Sequence, residues 1–388
     1  MKRKMLIFSA AVLLLAACKR NEGAPPVESE TASLSKNATL GLANTPAAAP
    51  NTFKVFDQIL FYDGYAAPVS NPVPANVTRI SNSKYIKKLS ATELAKLSNS
   101  LDIKVSITPY CDNYDRIGSV GLSFIPKNAA FSESTGKHIE VGRFITPFMD
   151  KNKTPSLVPY LYSVDNIANL LRDATWRSTY DIYAVFNLFG VPYAAQNEIS
   201  GCAGHNETFY GTLEFINKSG GTDPATTVQM IPIANEKDLD NYTAGNTDQI
   251  GSSKKTYTFN LPSAITDAKL YLITSNHGAN SGGEEYNRRD HNIYFDNVLK
   301  LTYKPGGKSC EPYRQYNTQG NGIYGPSPKT TQQWASFSNW CPGDAIPIRI
   351  IGLGNLTAGN HTFKIDVPTA VFKDKQGYIR HSVYLQGR

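Results

Sequence analysis

The chain of 388 residues is too long for one hydrophobic core of ordinary size, since single cores stop growing near ~250–300 residues. Its 41% hydrophobic share suffices for packed interiors, and 22 Tyr, 29 Gly and 23 Pro beside only 4 Met argue for an all-β chain rich in turns. The formal net charge of +7 is spread along the sequence rather than gathered into a stripe, which argues against a nucleic-acid-binding face and reads as solubility.

The N-terminal segment MKRKMLIFSAAVLLLAAC has a basic start (Lys2, Arg3, Lys4) and an apolar run too short for a permanent membrane span. Small residues then precede Cys18, and Leu15-Ala16-Ala17-Cys18 resembles a bacterial lipoprotein box, in which the cysteine is acylated and becomes the first mature residue. An ordinary secretory peptide cut after Ala17 is the alternative. Residues 1–17 are therefore expected to be a signal peptide, with the protein held at the bacterial cell envelope through Cys18 or secreted. Residues 18–50 are rich in Pro, Ala, Ser and Thr without apolar periodicity, and are expected to form a disordered tether. Export predicts that Cys111, Cys202, Cys310 and Cys341 are oxidised, with three pairings open.

Strand patterns follow at 54–62, 101–108, 119–125, 138–146, 180–189 and 209–216, each with β-branched or aromatic residues and turn residues at the ends. A second series runs from 227 to 386. Two short helices interrupt the first series: Ser90-Ala-Thr-Glu93 is a capping-box pattern, and Ser163 precedes VDNIANLLRDA, which has helical apolar spacing. The Gly/Pro/Thr joint at 217–227 predicts a boundary between a domain at 51–220 and another at 221–388. Two antiparallel β-sandwiches follow from this pattern.

Two clusters could carry chemistry. YCDNYDR places Asp112, Asp115 and Arg116 where a loop enters a strand, beside a cysteine. An Asx turn at Asp112 with a surface Asp115/Arg116 pair is the plainer explanation. SNHGANSGGEEYNRRDH packs glycines, adjacent glutamates, adjacent arginines and two histidines between apolar segments. A solvated charged hairpin is its plainer explanation. One carboxylate from each cluster would supply the minimum for hydrolysing a stable bond, provided that surroundings push their pKa values apart. The six histidines form no HxH or HExxH, and no GxSxG occurs, so neither a metal, a copper monooxygenase centre nor a serine triad is expected.

YCDNYDR, EVGRFITPF, EEYNRRDH and SNWCPGDAIPIR resemble, in this order and at similar separations, segments of the bacterial peptide-N-glycosidase F family, from about Thr52 to the end. The resemblance implies two jelly-roll sandwiches packed side by side, a cleft between them, no cofactor and no metal. It implies an amidase acting on N-glycosylated proteins and glycopeptides as a monomer, releasing the whole glycan at the asparagine–N-acetylglucosamine amide. Asp115 takes the place of the acid that activates water and Glu285 that of its partner. Asp112, Tyr114, Arg116, His277, Tyr286 and Trp340 fall on substrate-site positions. The resemblance also implies that Cys310 pairs with Cys341, leaving Cys111 with Cys202. Departures stand out: Val185 replaces a third acid, Asn187 a tryptophan and Phe337 an arginine, while Glu284 and Asn287 stand where the family has a disulfide. The runner-up reading is a non-catalytic glycan-binding surface lipoprotein.

Overall fold

The computed structural model describes residues 52–218, 228–240, 251, 253–280, 283–320, 323–372 and 376–388. The expected signal peptide, Cys18, the tether and most of the 217–227 joint lie outside the described residues. Among the described residues, nine strands fill the first half: β1 (Phe53–Tyr62), β2 (Val77–Ser81), β3 (Lys84–Lys88), β4 (Ser100–Pro109), β5 (Ile117–Pro126), β6 (Lys137–Ile145), β7 (Val158–Ser163), β8 (Tyr180–Leu188) and β9 (Glu207–Lys218). Nine more follow: β10 (Gln229–Leu239), β11 (Lys254–Leu261), β12 (Ile265–His277), β13 (His291–Phe295), β14 (Val298–Tyr303), β15 (Ala345–Ile346), β16 (Ile348–Leu356), β17 (Gly359–Asp366) and β18 (Tyr378–Gly387).

The sheets run β1-β9-β4-β7 and β15-β6-β5-β8-β3-β2 in the first half, and β10-β18-β12-β16 and β11-β17-β13-β14 in the second. Leaving out β2 and β15 and counting eight strands in each half, both sandwiches read 1-8-3-6 over 2-7-4-5. This is the jelly-roll order, and it arises when a long antiparallel hairpin folds over on itself. Alternation drives it: β7 buries every second residue, Val158, Tyr160 and Tyr162, while the residues between stay half-exposed. Strands β2, β3 and β7 had escaped the sequence reading, because they are short or carry lysines and prolines. The run 292–303 is two strands, not one, since Asp296 and Asn297 both adopt positive φ and turn the chain back into a hairpin.

The helices are short. At α1 (Ala91–Ala95) the capping box forms as expected: Ser90 Oγ accepts from the Glu93 N–H at 3.2 Å, and Glu93 Oε2 from the Ser90 N–H at 2.8 Å. The second expected helix is split into α2 (Asp165–Arg172) and α3 (Ala174–Thr179) at Asp173, whose carboxylate caps α3. Ser163 does not cap α2: its hydroxyl takes a bond from Lys218 Nζ at 2.8 Å, at the end of β7.

The two halves are joined by more than apposition. Strand β15, from the second half of the sequence, pairs with β6 of the first sandwich, Ala345 opposite Phe144 and Ile346 opposite Arg143. Arg143 is fully buried. Its guanidinium forks onto Glu140 at 2.7 and 2.5 Å and donates at 2.8 Å to Ser275 Oγ on β12 and to the Arg380 carbonyl on β18. Ser382 on β18 donates to the same glutamate. A buried charge left unpaired would be strongly destabilising, so this network fixes how the sandwiches meet.

Candidate active site

Asp115 lies in the loop between β4 and β5, and the loop is clamped from both sides. Asp112, buried at its base, accepts four hydrogen bonds: Arg116 Nε at 2.7 Å and the Val191 N–H at 2.7 Å on Oδ2, and Arg116 Nη2 at 3.2 Å and the Tyr114 N–H at 3.0 Å on Oδ1. The last of these is an Asx turn. From the other side, Thr146, just after β6, receives the Arg116 N–H at 2.7 Å on its hydroxyl and donates that hydroxyl to the Tyr114 carbonyl at 3.0 Å. Cys111, one residue before Asp112, is bridged to Cys202. The loop is thus held at 111, 112, 114 and 116, and Asp115 projects from between fixed points.

Asp112 was expected to touch substrate. Its carboxylate is instead consumed by these donors, and its role is to position the loop. Arg116, for its part, pairs with Asp112 rather than with Asp115.

Glu285 follows β12 in a loop whose backbone turns back on itself. A side chain at Gly283 would meet the Gly278 carbonyl oxygen at 2.0 Å, so only glycine permits the crossing that brings Glu285 beside Gly278. There the Gly278 N–H donates to Glu285 Oε2 at 3.3 Å, while the Glu285 N–H returns to the Gly278 carbonyl. A second loop grips the peptide itself: Asn339 Nδ2 donates to the carbonyls of Glu284 (2.8 Å), Glu285 (2.6 Å) and Asn287 (3.1 Å). The Cys310–Cys341 disulfide pins that gripping loop. Glu284 is buried, forks onto Arg289 at 2.9 and 3.1 Å and accepts the Val371 N–H at 2.9 Å. This ion pair staples the loop around Glu285.

The two acids share one electrostatic environment. Asp115 is pushed up to about 8, first by burial and then by the negative charge of Glu285; Arg116 opposes the rise, and Asp112 adds to it. Glu285 is raised by burial too, but the Tyr286 phenol and the Gly278 N–H favour its ionised form. The charge of Glu285 thus favours the protonated form of Asp115, while the donors on Glu285 favour its ionised form.

Of the remaining expected residues, Tyr114 and Tyr286 present exposed rings beside the acids, Tyr114 packed on Phe148 and Tyr286 edge-on to Phe337. His277 lies next to Gly278, with its Nε2 bonded to Ser275 Oγ at 2.7 Å; burial and then Arg143 hold it neutral. Trp340 departs from expectation. Only 5% exposed, it packs with Ile145, Ile273 and Ile346 and donates its indole N–H to the Asn276 carbonyl at 2.8 Å. Its ring is core, not a platform for sugar. Thr146 and Arg143 were not singled out from sequence, although both lie in the quoted EVGRFITPF segment; neither residue type at that spacing signals a clamp.

A groove of about 880 Å3 lies between β5, β6 and β8 on one side and β10 and β11 on the other, and Ser119, Glu140, Val185 and Glu236 line it. Asp115 and Glu285 are not among its lining residues. Val185 opens onto this groove, facing Gly121 across the sheet. The groove marks a neighbouring hollow rather than the acid pair. Among the described residues, no group of three or more His, Cys, Asp or Glu side chains is placed to hold a metal ion. Nor is any described helix long and apolar enough to cross a membrane.

Comparison with known proteins matches two family models: "Peptide-N-glycosidase F, N terminal" over residues 52–202 and "Peptide-N-glycosidase F, C terminal" over residues 246–386. A curated relative, the peptide-N(4)-(N-acetyl-beta-D-glucosaminyl)asparagine amidase F of Elizabethkingia miricola, is 25% identical over 377 residues, covering 92% of this chain and 88% of the relative. Among solved structures, PNGF-II superposes with a TM-score of 0.59 at 20% identity, covering 87% of this chain; this chain spans only 65% of PNGF-II. The crystal structure of a peptide-N(4)-(N-acetyl-beta-D-glucosaminyl)asparagine amidase gives 0.53 at 19% identity, with 87% and 95% covered.

Proposed function

This chain belongs to the peptide-N-glycosidase F family, and from that premise we propose that it hydrolyses the amide joining a glycosylated asparagine to its first N-acetylglucosamine. The reaction frees the whole glycan and leaves aspartate. What supports this reading is that Asp115 and Glu285, one from each sandwich, lie near enough for the charge of Glu285 to raise Asp115. Once ionised, a carboxylate with its pKa near 8 is a far stronger base than an ordinary aspartate, strong enough to draw a proton from water. The water oxygen then bonds to the amide carbon, the C–N bond breaks, and the proton passes to the departing nitrogen. Glu285 stays ionised under its two donors and orients the reacting groups. Tyr114 and Tyr286 offer apolar faces to the sugar ring.

The test is digestion of an N-glycopeptide in heavy-oxygen water, followed by mass spectrometry. Loss of the entire glycan with one labelled oxygen in a new aspartate is expected. Asp115→Asn is expected to lower the rate by ~10^3-fold or more while leaving the fold intact. Cleavage between the two core sugars, or an unlabelled peptide, rejects the amidase. A second reading, a glycan-binding protein without catalysis, is favoured by Val185 at the position of the family's third acid, and binding without product in the same assay would establish it.

We further propose that Cys18 is acylated and holds the protein at the bacterial envelope, on the strength of the Leu15-Ala16-Ala17-Cys18 box. Incorporation of labelled palmitate that survives Cys18→Ser would remove that proposal.

A further inference from the structure

Four of the large exposed apolar side chains are tyrosines. Tyr114 and Tyr286 flank the acids. The other two, Tyr65 and Tyr193, lie 128 positions apart in sequence yet sit together, 72% and 55% exposed, with ring centroids 6.4 Å apart and planes only 16° from parallel. Two rings held side by side in water are not a packing solution, because each leaves most of its apolar surface wet.

The pair is built rigidly, and on the frame that carries Asp115. Asn82, buried, donates its amide to the carbonyls of Asp63 (2.8 Å), Ala66 (3.3 Å) and Ala67 (3.1 Å), while Asp63 Oδ1 accepts the Tyr65 N–H at 3.0 Å. The Gly64 N–H donates to the Gly190 carbonyl at 2.8 Å, and Tyr65 sets its edge against Phe189 at 5.1 Å. A side chain at Gly64 would run into the Phe189 ring at 2.5 Å, so glycine permits the close approach. One residue beyond Gly190, Val191 gives its N–H to Asp112 at 2.7 Å and takes Arg116 Nη2 on its carbonyl at 3.3 Å. Tyr193 follows two residues later. Both rings are therefore anchored to the same backbone segment as the Asp112–Arg116 clamp, and their position relative to Asp115 is fixed.

A flat, apolar, doubled ring surface with phenol hydroxyls at its edge suits the CH face of a pyranose, whose hydroxyls stay wet at the rim. We propose that Tyr65 and Tyr193 form a second carbohydrate-stacking subsite, which takes a sugar ring of the glycan farther from asparagine than the one at the acid pair. This rests on the amidase reading above. It makes the first sandwich the holder of the distal glycan as well as of Asp115, and it assigns part of the affinity to a surface that touches no reacting atom.

The experiment compares full-chain protein with the Tyr65→Ala/Tyr193→Ala double variant on two glycopeptides, one bearing only the N-linked chitobiose and the other a full branched glycan. KM for the branched substrate is expected to rise about ten-fold in the variant, with kcat and the chitobiose kinetics unchanged. Tyr65→Phe/Tyr193→Phe is expected to behave as wild type, because the ring faces remain. In parallel, saturation-transfer NMR with free branched glycan is expected to show contacts to distal sugar protons that disappear in the alanine variant. Equal effects on both glycopeptides, or no effect on either, overturn the subsite. If wild-type protein cleaves neither substrate the amidase reading fails, and the NMR arm still decides: ring-dependent saturation upholds the subsite, and its absence removes it.

Discussion

The two loop walls that carry Asp115 and Glu285 are built alike from unrelated stretches of chain. In each, an acid projects from a loop, a second carboxylate nearby is buried and held by an arginine and a backbone N–H, and a disulfide pins an adjoining segment: Asp115, Asp112, Arg116, Val191 and Cys111–Cys202 on one side, Glu285, Glu284, Arg289, Val371 and Cys310–Cys341 on the other. They differ in how fully the buried carboxylate is engaged. Both oxygens of Asp112 face two donors, whereas Glu284 Oε2 faces only Arg289 Nε. In each loop a buried carboxylate takes up the donors and so holds the backbone from which its neighbouring acid projects. The difference says which wall is the stiffer.

That comparison can be broken by amide substitution. Asp112→Asn puts an NH2 group against donors whichever way it turns, so at least two hydrogen bonds and the charge of the pair are lost. A destabilisation of about 3 kcal/mol is expected. Glu284→Gln can turn its NH2 toward Arg289 Nε alone and is expected to cost about half as much. Urea midpoints with unchanged slope measure both. Equal losses, or a larger loss for Glu284→Gln, would contradict the ranking of the walls.

Much of this was legible in sequence, and the reason is local. Alternation and turn residues exposed most strands, and the spacing of Ser90 and Glu93 exposed a capping box, because those signals are complete within a few residues. Asp115 and Glu285 were singled out through resemblance, and the negative charge of Glu285 does act to raise Asp115. What escaped depended on burial. Asp112 and Trp340 carry residue types common in sugar sites, but nothing in the sequence shows that Val191 and Arg116 consume one or that isoleucines enclose the other. The same holds for Tyr65 and Tyr193, which only the fold brings together.

The walls also differ in proton affinity, and pH sharpens the contrast. Asp115 is raised from 3.8 to about 8, so between those values the folded protein holds a proton that the unfolded chain has released. The associated stability is fully present below about pH 4 and is lost as pH rises through 8. Asp115→Asn does not titrate. Its melting temperature is expected to gain on wild type by about 2–4 °C between pH 5 and pH 9, a span discounted for the part of Asp115 open to solvent. Because the base must be ionised, kcat/KM of wild type is expected to climb through pH 8. Glu285→Gln removes a charge that raises Asp115, so a carboxyl-carbon NMR titration of Asp115 is expected to move to lower pH. A titration left in place would mean that the acids do not interact.

The smallest effect separates two roles for one ring. Tyr286 was read from sequence as a sugar contact, and its half-open ring allows that, yet its phenol also favours the ionised form of Glu285. Tyr286→Phe keeps the ring edge-on to Phe337 and removes only the hydroxyl. Without that donor, burial acts on Glu285 with the Gly278 N–H alone to oppose it, so the glutamate moves further up. A several-fold fall in kcat, about 1 kcal/mol, is then expected at neutral pH, with KM unchanged and the acid limb of the pH profile displaced upward. The sign follows from the need for Glu285 to stay charged when Asp115 has given up its proton. A rise in KM at constant kcat would instead place the hydroxyl against the sugar and leave Glu285 to Gly278.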